Sequence, residues 1–427
     1  MLAPKSDVDP HAGDDRLASF LFVLAWAWTV VPKIIQTVAV PKYRTYVTQE
    51  GVVPTPLASL ASNVLLFSLL GFCVFVIVNA LRSNPQRNLG VLVLLLAPWV
   101  YVQVRDWLAL DPFRLESLTY PLPVIAVWLL RPGLRQLRVL GYLVGAVAVV
   151  SVALGLALPS HAIFRTADGA LITEDKNLLP WGVLVGIYTH GNSLGQVLAL
   201  GIPMVALIRR TAHRVPLLVI SMMALIWTSA RASIASVVAL IVVVALLTAI
   251  PRRMRDLPAR LILIGAYAVV VIVPLLTRDP AAFTNRGYIW GASLLAWRSE
   301  PWFGLGSRYY TDLARTSGRL GGTVYHGHNE LVQLLVVGGV VLAALVGLLL
   351  LTAIVKATRW SSRSLFWFAT LFVLAGVSLL ETSLSFVENT FLLSVMVLPL
   401  ASLMFGPDLD GAPRGSRDAD LPHLLGK

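Results

Sequence analysis

The chain has 427 residues, of which 57% are hydrophobic and 13% are charged, and its mean hydropathy is +0.77. Soluble domains carry about 25% charged residues, so this composition excludes an ordinary soluble domain. Apolar segments of roughly 18 or more residues recur along the chain and predict membrane helices. The one cysteine, Cys73, lies in such a segment, which excludes an intrachain disulfide or a cysteine metal site.

The hydropathy pattern predicts an all-α polytopic membrane protein, with residues 1–427 forming a single integral membrane domain of about twelve spans. Residues 1–16 are polar and do not resemble a cleaved signal peptide, so 1–16 and 406–427 are expected to be cytoplasmic tails. The third and fourth spans are short and the break at Ser229–Arg231 is tight, which allows a count one or two away from twelve. The expected spans are 17–36, 57–81, 89–104, 117–130, 138–158, 182–208, 214–230, 232–250, 260–277, 329–355, 364–381 and 386–405.

Charge supports one orientation of these spans. With the N-terminus inside, the interior cytoplasmic loops carry many cations and a single acid, Asp256, as the positive-inside rule expects. Topology therefore explains most of the net charge of +12, which is no evidence for nucleic-acid binding. The cations are Arg82, Arg87, Arg131, Arg135, Arg138, Arg209, Arg210, Arg214, Arg252, Arg253, Arg255, Arg260, Lys356, Arg359 and Arg363.

A second set of cations falls in the predicted outer loops, against this bias. An arginine kept there either is a solvated loop charge or binds an anionic ligand, and clustering with histidines favours the second interpretation. The set comprises Lys42, Arg44, Arg165, Lys176, Arg231, Arg286, Arg298, Arg308, Arg315 and Arg319.

The predicted sixth span carries Tyr188, His190 and Asn192 six to ten residues from its outer end. At 1.5 Å per residue these side chains would lie roughly 9–15 Å deep. Polar groups at such depth either line a cavity or bond to a neighbouring helix. Glu381 and Glu388 flank the last outer turn and are interpreted as helix-end charges.

The longest predicted outer loop, residues 278–327, is expected in the periplasm between the ninth and tenth spans. Its stretch from Phe283 to Tyr310 predicts a short amphipathic helix, with Arg286 one turn before Trp290. Tryptophans on such a helix suit the headgroup layer. Arg286 then either binds an anion or extends towards lipid headgroups.

The tenth span begins with His328, Asn329 and Glu330. A helix N-terminus favours anions, and a histidine exchanges protons near neutral pH without a metal. We therefore expect His328 to be a proton acceptor. His326 is a weaker candidate because a loop histidine is less rigidly held, and Tyr325 and Arg319 are candidates for saccharide or phosphate binding.

Four motifs resemble the O-antigen ligase superfamily, which also contains O-antigen polymerases and bacterial O-linked protein oligosaccharyltransferases. His328-Asn329, nine residues and Gly339 match one signature, although Leu342 stands where the family prefers Gly, Thr or Tyr. TSARAS resembles the arginine turn with Arg231, and NRGYIW with PWFGLG resembles the arginine–tryptophan helix with Arg286. GIYTHGNSLGQVLAL resembles the family's sixth-span segment.

The resemblance implies a GT-C-like glycosyltransferase in the bacterial inner membrane, with its site facing the periplasm. It implies transfer of polysaccharide from undecaprenyl diphosphate to a sugar hydroxyl of lipid A–core, with inversion and without a cofactor. His328 would be the base, and Arg231 and Arg286 would bind the diphosphate. The expected substrate-binding residues are His326, Asn329, Arg319, Arg308, Tyr325, His190, Asn192 and Trp290.

A metal-dependent enzyme would need outer carboxylates. The first outer loop, 37–56, offers only Glu50, which agrees with a metal-free mechanism, while Asp106, Asp111, Glu174 and Asp175 keep the alternative open. A polymerase with the same chemistry is the nearest alternative function, and a protein oligosaccharyltransferase is a weaker one. A lipid-linked glycan transporter would place its polar residues at a midplane site.

Overall fold

The computed structural model describes residues 12–41, 43–44, 53–81, 89–166, 170–171, 177–315, 326–384, 386 and 390–405. These residues are almost entirely helical. The α-helices are α1 Ala12–Ala39, α2 Pro56–Leu81, α3 Leu89–Leu108, α4 Pro121–Leu130, α5 Leu134–Ala157, α6 Pro159–Ala162, α7 Gly191–Ala206, α8 Thr211–Trp227, α9 Arg231–Ala249, α10 Asp256–Leu276, α11 Ala282–Trp297, α12 Tyr309–Arg315, α13 Glu330–Arg359, α14 Phe366–Ser378 and α15 Leu398–Phe405.

Short irregular elements complete this part of the chain. Two-residue strands β1 (Tyr43–Arg44) and β2 (Arg165–Thr166) pair in parallel. The 3₁₀ turns are Leu115–Thr119, Arg252–Met254 and Thr390–Leu392, and a π turn covers Leu393–Val397.

Seven of the described helices are long and apolar enough to cross a membrane: α1, α2, α3, α5, α9, α10 and α13. Five shorter apolar segments accompany them, containing α4, α7, α8, α14 and α15. Every predicted span overlaps one of these helices, and the number of shorter segments that cross the bilayer stays a prediction. α1 begins at Ala12, inside the segment predicted as a cytoplasmic tail.

The sixth span differs most from its prediction. We expected a helix from residue 182, but α7 begins at Gly191 and residues 177–190 are non-helical in the structure. The cause is local, because Gly182 and Gly186 adopt positive φ angles of 86° and 54°, which end regular helix geometry. His190 and Asn192 therefore lie at a helix end instead of 9–15 Å inside the helix.

α7 is the central helix of the bundle, and α5, α8, α9 and α14 pack around it. Most of its side chains are buried. Close packing against α5 depends on Gly141, where a Cβ would lie 2.3 Å from the carbonyl oxygen of Met204. Small residues at such crossings allow two helix backbones to approach and gain dispersion contacts.

α13 is broken at Gly339, and the segment after α11 is bonded into the break. Gly339 has φ 66° and ψ −164°, a conformation open only to glycine. We call residues 301–306 the clamp segment, because their backbone exchanges hydrogen bonds with both halves of α13. The bonds are Leu305 N to Val336 O (2.6 Å), Gly306 N to Val337 O (3.0 Å), Val340 N to Pro301 O (3.0 Å) and Val341 N to Trp302 O (3.3 Å).

α3 fastens this clamp from the outside. Arg105 donates from Nη2 to the carbonyl oxygen of Gly304 at 2.8 Å, and the Tyr101 hydroxyl donates to that of Gly338 at 2.7 Å. Leu342, the residue that departs from the family pattern, is 1% exposed and packs over Gly338. Gly304 of the PWFGLG motif thus lies directly against Gly338 and Gly339 of α13. The PWFGLG motif and the motif that ends at Gly339 therefore form a single contact.

α11 is held against α13 by a small apolar cluster. Trp290 is fully buried with Tyr310, Val332 and Val336. The expected headgroup position is therefore wrong for Trp290. Residues 283–285 have positive φ angles, so α11 turns sharply just before Arg286.

Substitution of Gly339 by alanine tests the clamp. A Cβ at this position would lie 2.2 Å from the Trp302 carbonyl oxygen, on a backbone that disfavours any side chain. We expect Gly339→Ala to destabilise the protein by at least about 2 kcal/mol, measured as a lower thermal midpoint in detergent. Gly347→Ala is the control on the same helix, where a Cβ meets nothing within 4 Å. Equal midpoints for the two variants would contradict the role of the clamp.

Candidate functional site

A cavity of about 980 Å³ opens where the N-termini of α7, α9 and α13 meet α11 and the segment after α14. We call this the first cavity. It brings together five predicted site residues, which are Arg231, Arg286, His328, His190 and Asn192. Backbone and apolar groups of the TSARAS turn and of residues 280–289 complete its wall. Residues from distant parts of the sequence, such as Arg231 and His328, thus line the same cavity.

The carboxylate of Glu381 lies at the centre of these groups. It is 3% exposed. Oε1 accepts hydrogen bonds from Arg286 Nη2 at 2.5 Å and from Asn192 Nδ2 at 2.7 Å. Oε2 lies 3.3 Å from His328 Nδ1 and 3.8 Å from His326 Nε2. The interpretation of Glu381 as a helix-end charge is therefore wrong.

Glu381 escaped prediction because its partners come from distant elements. No cation lies near it in sequence, and its flanks resemble any polar turn after a span. The sequence motifs also predict no role for Glu330, two residues after His328. Its Oε2 accepts the backbone N–H groups of Ser383 and Leu384, at 2.6 and 3.0 Å. Glu330 thereby fixes the segment that carries Glu381.

His328 is held on a strained backbone. Its φ is 47°, which is uncommon for a residue with a Cβ and recurs at functional sites. Its N–H donates to His326 Nδ1 at 3.1 Å, and its carbonyl oxygen accepts from Trp290 Nε1 at 3.3 Å. These two bonds fix the backbone of His328 on both sides of its Cα and so fix the point from which its ring extends.

The two ring nitrogens of His328 have different surroundings. Nδ1 faces the Glu381 carboxylate, and a carboxylate partner favours the tautomer that carries its proton on that nitrogen. Nε2 is then the nitrogen that can accept a proton. The side chain is 21% exposed and lines the first cavity. This pairing of a carboxylate with an oriented histidine whose other nitrogen is open resembles the Asp–His pair of the Ser-His-Asp arrangement.

Burial and neighbouring charges set the protonation of the two groups beside His328. Burial would raise the pKa of Glu381, but the hydrogen bond and charge of His328, with the charges of Arg286 and His326, lower it to about 2. The pKa of His326 is lowered to about 3, mainly by burial and next by the charge of His328. His326 is therefore neutral near pH 7, which suits its Nδ1 for accepting the His328 N–H.

Arg286 is fixed at three points. Besides its ion pair with Glu381, it donates from Nε to Leu380 O at 2.9 Å and from Nη1 to Phe283 O at 3.2 Å. The turn at residues 283–285 brings the Phe283 carbonyl to the guanidinium. The side chain remains 16% exposed and lines the first cavity. Arg286 is thus an oriented cation and does not extend freely towards lipid.

Arg231 is the first residue of α9 and is exposed to the first cavity. The turn before Arg231 has a defined backbone conformation. Ser229 adopts φ 53°, and the backbone N–H of Ala230 donates to Thr228 Oγ1 at 3.2 Å. Arg231 therefore presents its charge beside a helix N-terminus, which also favours anions.

His190 and Asn192 belong to the end of α7 that faces the first cavity. His190 is the N-cap of this helix, and its Nδ1 accepts the backbone N–H of Asn192 at 3.0 Å. Asn192 reaches Glu381 with its side chain. Both residues therefore line the first cavity, and Asn192 in addition makes the hydrogen bond to a neighbouring element that the alternative hypothesis expected.

Two expected substrate-binding residues are buried supports instead. Asn329 has no exposed surface, caps α13, and donates from Nδ2 to Val270 O and Leu379 O, both at 3.0 Å. It ties α10, α13 and α14 together beneath His328. Trp290 is also fully buried and bonds to the His328 carbonyl. Neither side chain is open to a ligand in this structure, so both position His328.

Arg308 lies apart from the first cavity. It pairs with Asp111 at 2.9 Å and with Asp312 at 3.4 Å, beside a separate cavity of about 270 Å³. The neighbouring Asp106 accepts the Ser307 hydroxyl at 2.6 Å. These acids fasten the segment after α11 to α3. Eight residues considered in or beside the predicted outer loops lie outside the described residues: Lys42, Glu50, Glu174, Asp175, Lys176, Arg319, Tyr325 and Glu388.

His326, His328 and Glu381 could also hold a metal ion, since their ligand atoms lie within 4.8 Å of one another. Two imidazoles and a carboxylate are a familiar zinc-ligand set. The guanidinium of Arg286 already neutralises this carboxylate and would repel a second cation. A functional test of this site therefore includes a metal chelator.

Glu381→Gln tests the buried carboxylate through the pH dependence of stability. The folded pKa of about 2 lies below the 4.5 of a free glutamate. The carboxylate therefore contributes fully above about pH 4.5, and its contribution is lost as the pH falls towards 2. We expect the variant to have a lower thermal midpoint at pH 7 and the difference from wild type to shrink at pH 3. The exposed Glu300→Gln is the control; a pH-independent difference for Glu381→Gln would contradict the pKa.

Comparison with known proteins agrees with the resemblance in the sequence motifs. Residues 216–346 match the family model described as O-antigen ligase. This segment extends from α8 into α13 and contains Arg231, Arg286 and His328. No curated protein matches the chain. Over this segment, the chain is similar to the O-antigen ligase family.

Proposed function

We propose that the protein is an O-antigen ligase that transfers polysaccharide from undecaprenyl diphosphate to a sugar hydroxyl of lipid A–core. Its proposed location is the bacterial inner membrane, with the first cavity facing the periplasm. The observation that carries the proposal is the meeting of one oriented histidine and two arginines in a single cavity of about 980 Å³. That set matches a reaction that deprotonates an alcohol and releases a diphosphate.

His328 is the proposed base. The acceptor oxygen forms a bond to the anomeric carbon of the donor while its proton passes to His328 Nε2. Glu381, held at Nδ1, stabilises the imidazolium that forms. Glu381 also accepts hydrogen bonds from Arg286 and Asn192, so it serves as a fixed counter-charge. His326 supports the His328 backbone and does not act as the base.

Arg286 and Arg231 are the proposed cations for the leaving group. The bond between the anomeric carbon and the phosphate oxygen breaks, and its electron pair goes to the lipid diphosphate. Arginine stays protonated and meets phosphate oxygens with paired donors. Arg286 is already fixed by three bonds, so little reorganisation accompanies the reaction. Attack from the face opposite the diphosphate inverts the anomeric configuration.

The position of the polar groups favours a transferase over a transporter. The groups lie at helix ends: His328 precedes α13, Arg231 begins α9 and His190 caps α7. A transporter of the kind considered above would bind its cargo near the bilayer midplane between interrupted helices. A polymerase shares the proposed chemistry and differs in the acceptor, so the choice of acceptor in an assay separates the two.

A transfer assay with purified protein, undecaprenyl-diphosphate-linked glycan, lipid A–core and EDTA tests this function. We expect wild type to make the high-mass conjugate. His328→Ala should reduce the rate by about 10²–10⁴-fold, the usual contribution of a general base. Arg286→Ala should reduce it by a comparable factor, because it also unpairs Glu381.

Arg298→Ala is the matched control, since this exposed arginine borders the same helix but does not line the first cavity. Its rate should stay near that of wild type. Joining of donor glycans to each other would identify a polymerase. Loss of wild-type activity in EDTA, restored by Zn²⁺, would replace the metal-free mechanism with one that uses His326, His328 and Glu381 as ligands.

A further inference from the structure

A second cavity of about 610 Å³ adjoins the first. We call this the second cavity. It lies between the C-terminal half of α1, the start of α2 and the segment that leads into α7. Its lining combines aromatic walls with hydroxyl, amide and ammonium groups, and none of its lining residues among those that the structure describes carries a carboxylate. The proposed reaction, as derived from the first cavity, makes no use of it.

One short segment separates the two cavities. Within it, Tyr188, Thr189 and Ser193 line the second cavity, whereas His190 and Asn192 line the first. Phe164 lines both, and its ring packs edge-on against His190 with centroids 5.5 Å apart. The partition is therefore about one side chain thick, and a ligand in the second cavity lies next to the catalytic groups.

Lys33 gives the second cavity a positive charge. It lies six residues before the end of α1, roughly 9 Å along the helix. Its Nζ donates to the Thr29 carbonyl oxygen at 2.7 Å and lies 5.7 Å from the centroid of the Tyr188 ring. An ammonium has three donors, and within the described residues no acid pairs with it. A charge inside a span is costly and commonly marks a substrate site.

Neutral polar groups surround this charge. The hydroxyls of Ser59, Ser62, Thr189 and Ser193 and the amide of Asn63 line the second cavity. Across the part of the chain that the structure describes, these side chains make no hydrogen bond. Tyr188 and Phe391, whose rings pack edge-on at 5.9 Å, add an apolar wall. Unused donors and acceptors beside aromatic surfaces fit a saccharide, which offers many hydroxyls and apolar ring faces.

We propose that the second cavity binds the acceptor saccharide, with Lys33 recognising an anionic substituent, a phosphate or a carboxylate, on that sugar. The assignment to the acceptor rests on the proposed function, in which the two arginines of the first cavity take the donor diphosphate. A single lysine is a point charge without the paired donors of arginine, and suits one anionic group. The acceptor hydroxyl reaches His328 past Phe164.

Binding of acceptor without donor tests this subsite independently of catalysis. The probe is a phosphorylated core oligosaccharide freed of its acyl chains, titrated into the full-length protein in nanodiscs by calorimetry. We expect Lys33→Gln to weaken binding at least tenfold and Lys33→Arg to retain most of it. The same oligosaccharide after removal of its phosphates should bind more weakly to wild type and show no difference between wild type and Lys33→Gln.

Lys356→Gln is the matched control, because Lys356 is also a lysine of a long helix whose ammonium donates to a backbone carbonyl, that of Met404. It should bind the probe as wild type does. Ser62→Phe, which fills the cavity without changing its charge, should also lose binding and covers the case that Lys33→Gln does not fold. Unchanged affinity in Lys33→Gln, or displacement of the probe by vesicles of phosphatidylglycerol, would overturn the proposal.

Kinetics separate this proposal from the function on which it rests. In the transfer assay, Lys33→Gln should raise the KM for acceptor at least tenfold while the KM for donor and kcat stay near wild type. Transfer that is insensitive to Lys33 overturns the subsite and leaves the ligase function standing. Lys33-dependent binding in a protein that transfers nothing supports the subsite as a saccharide site and overturns the ligase function.

Discussion

The ionised carboxylate of Glu381 is the constraint on which the site depends. A buried charge is costly unless it is paired and hydrogen-bonded. Glu381 meets this requirement with Arg286, Asn192 and His328, which come from α11, α7 and the entry to α13. Each partner is thereby given a fixed place around one charge. The Glu381 carboxylate faces Nδ1 of His328, which leaves Nε2 open, and it also holds Arg286 at the cavity.

Two backbone devices bring these groups to Glu381. The break of α13 at Gly339 admits the clamp segment, which anchors the end of α11 and so limits where Arg286 can lie. The late start of α7 places His190 and Asn192 at a helix end. Both devices depend on glycines with positive φ, at which a side chain would be strained. The position of the groups around Glu381 therefore depends directly on the local backbone geometry at these glycines.

Two adjoining cavities of different chemistry suit a reaction between two large substrates. The first holds two arginines and the oriented histidine, and the second holds one lysine and neutral polar groups. Under the proposed function, separate anion sites would keep the two negatively charged lipid substrates from competing for the same cations. Phe164 packs beside His190 in the thin partition between the cavities, so two substrates bound there would have their reacting ends close together, at a lower entropic cost.

The sequence by itself determined the helical membrane class, the approximate helices and five residues that line the first cavity, His328, Arg286, Arg231, His190 and Asn192. It could do so because hydropathy is a local property and because short motifs surround these residues. Tertiary structure decided the rest. Glu381 gained its role from partners up to 189 positions away, Asn329 and Trp290 proved to be buried supports, and Arg308 paired with Asp111 elsewhere. Burial and charge pairing arise only when distant segments meet, so no local pattern could assign them.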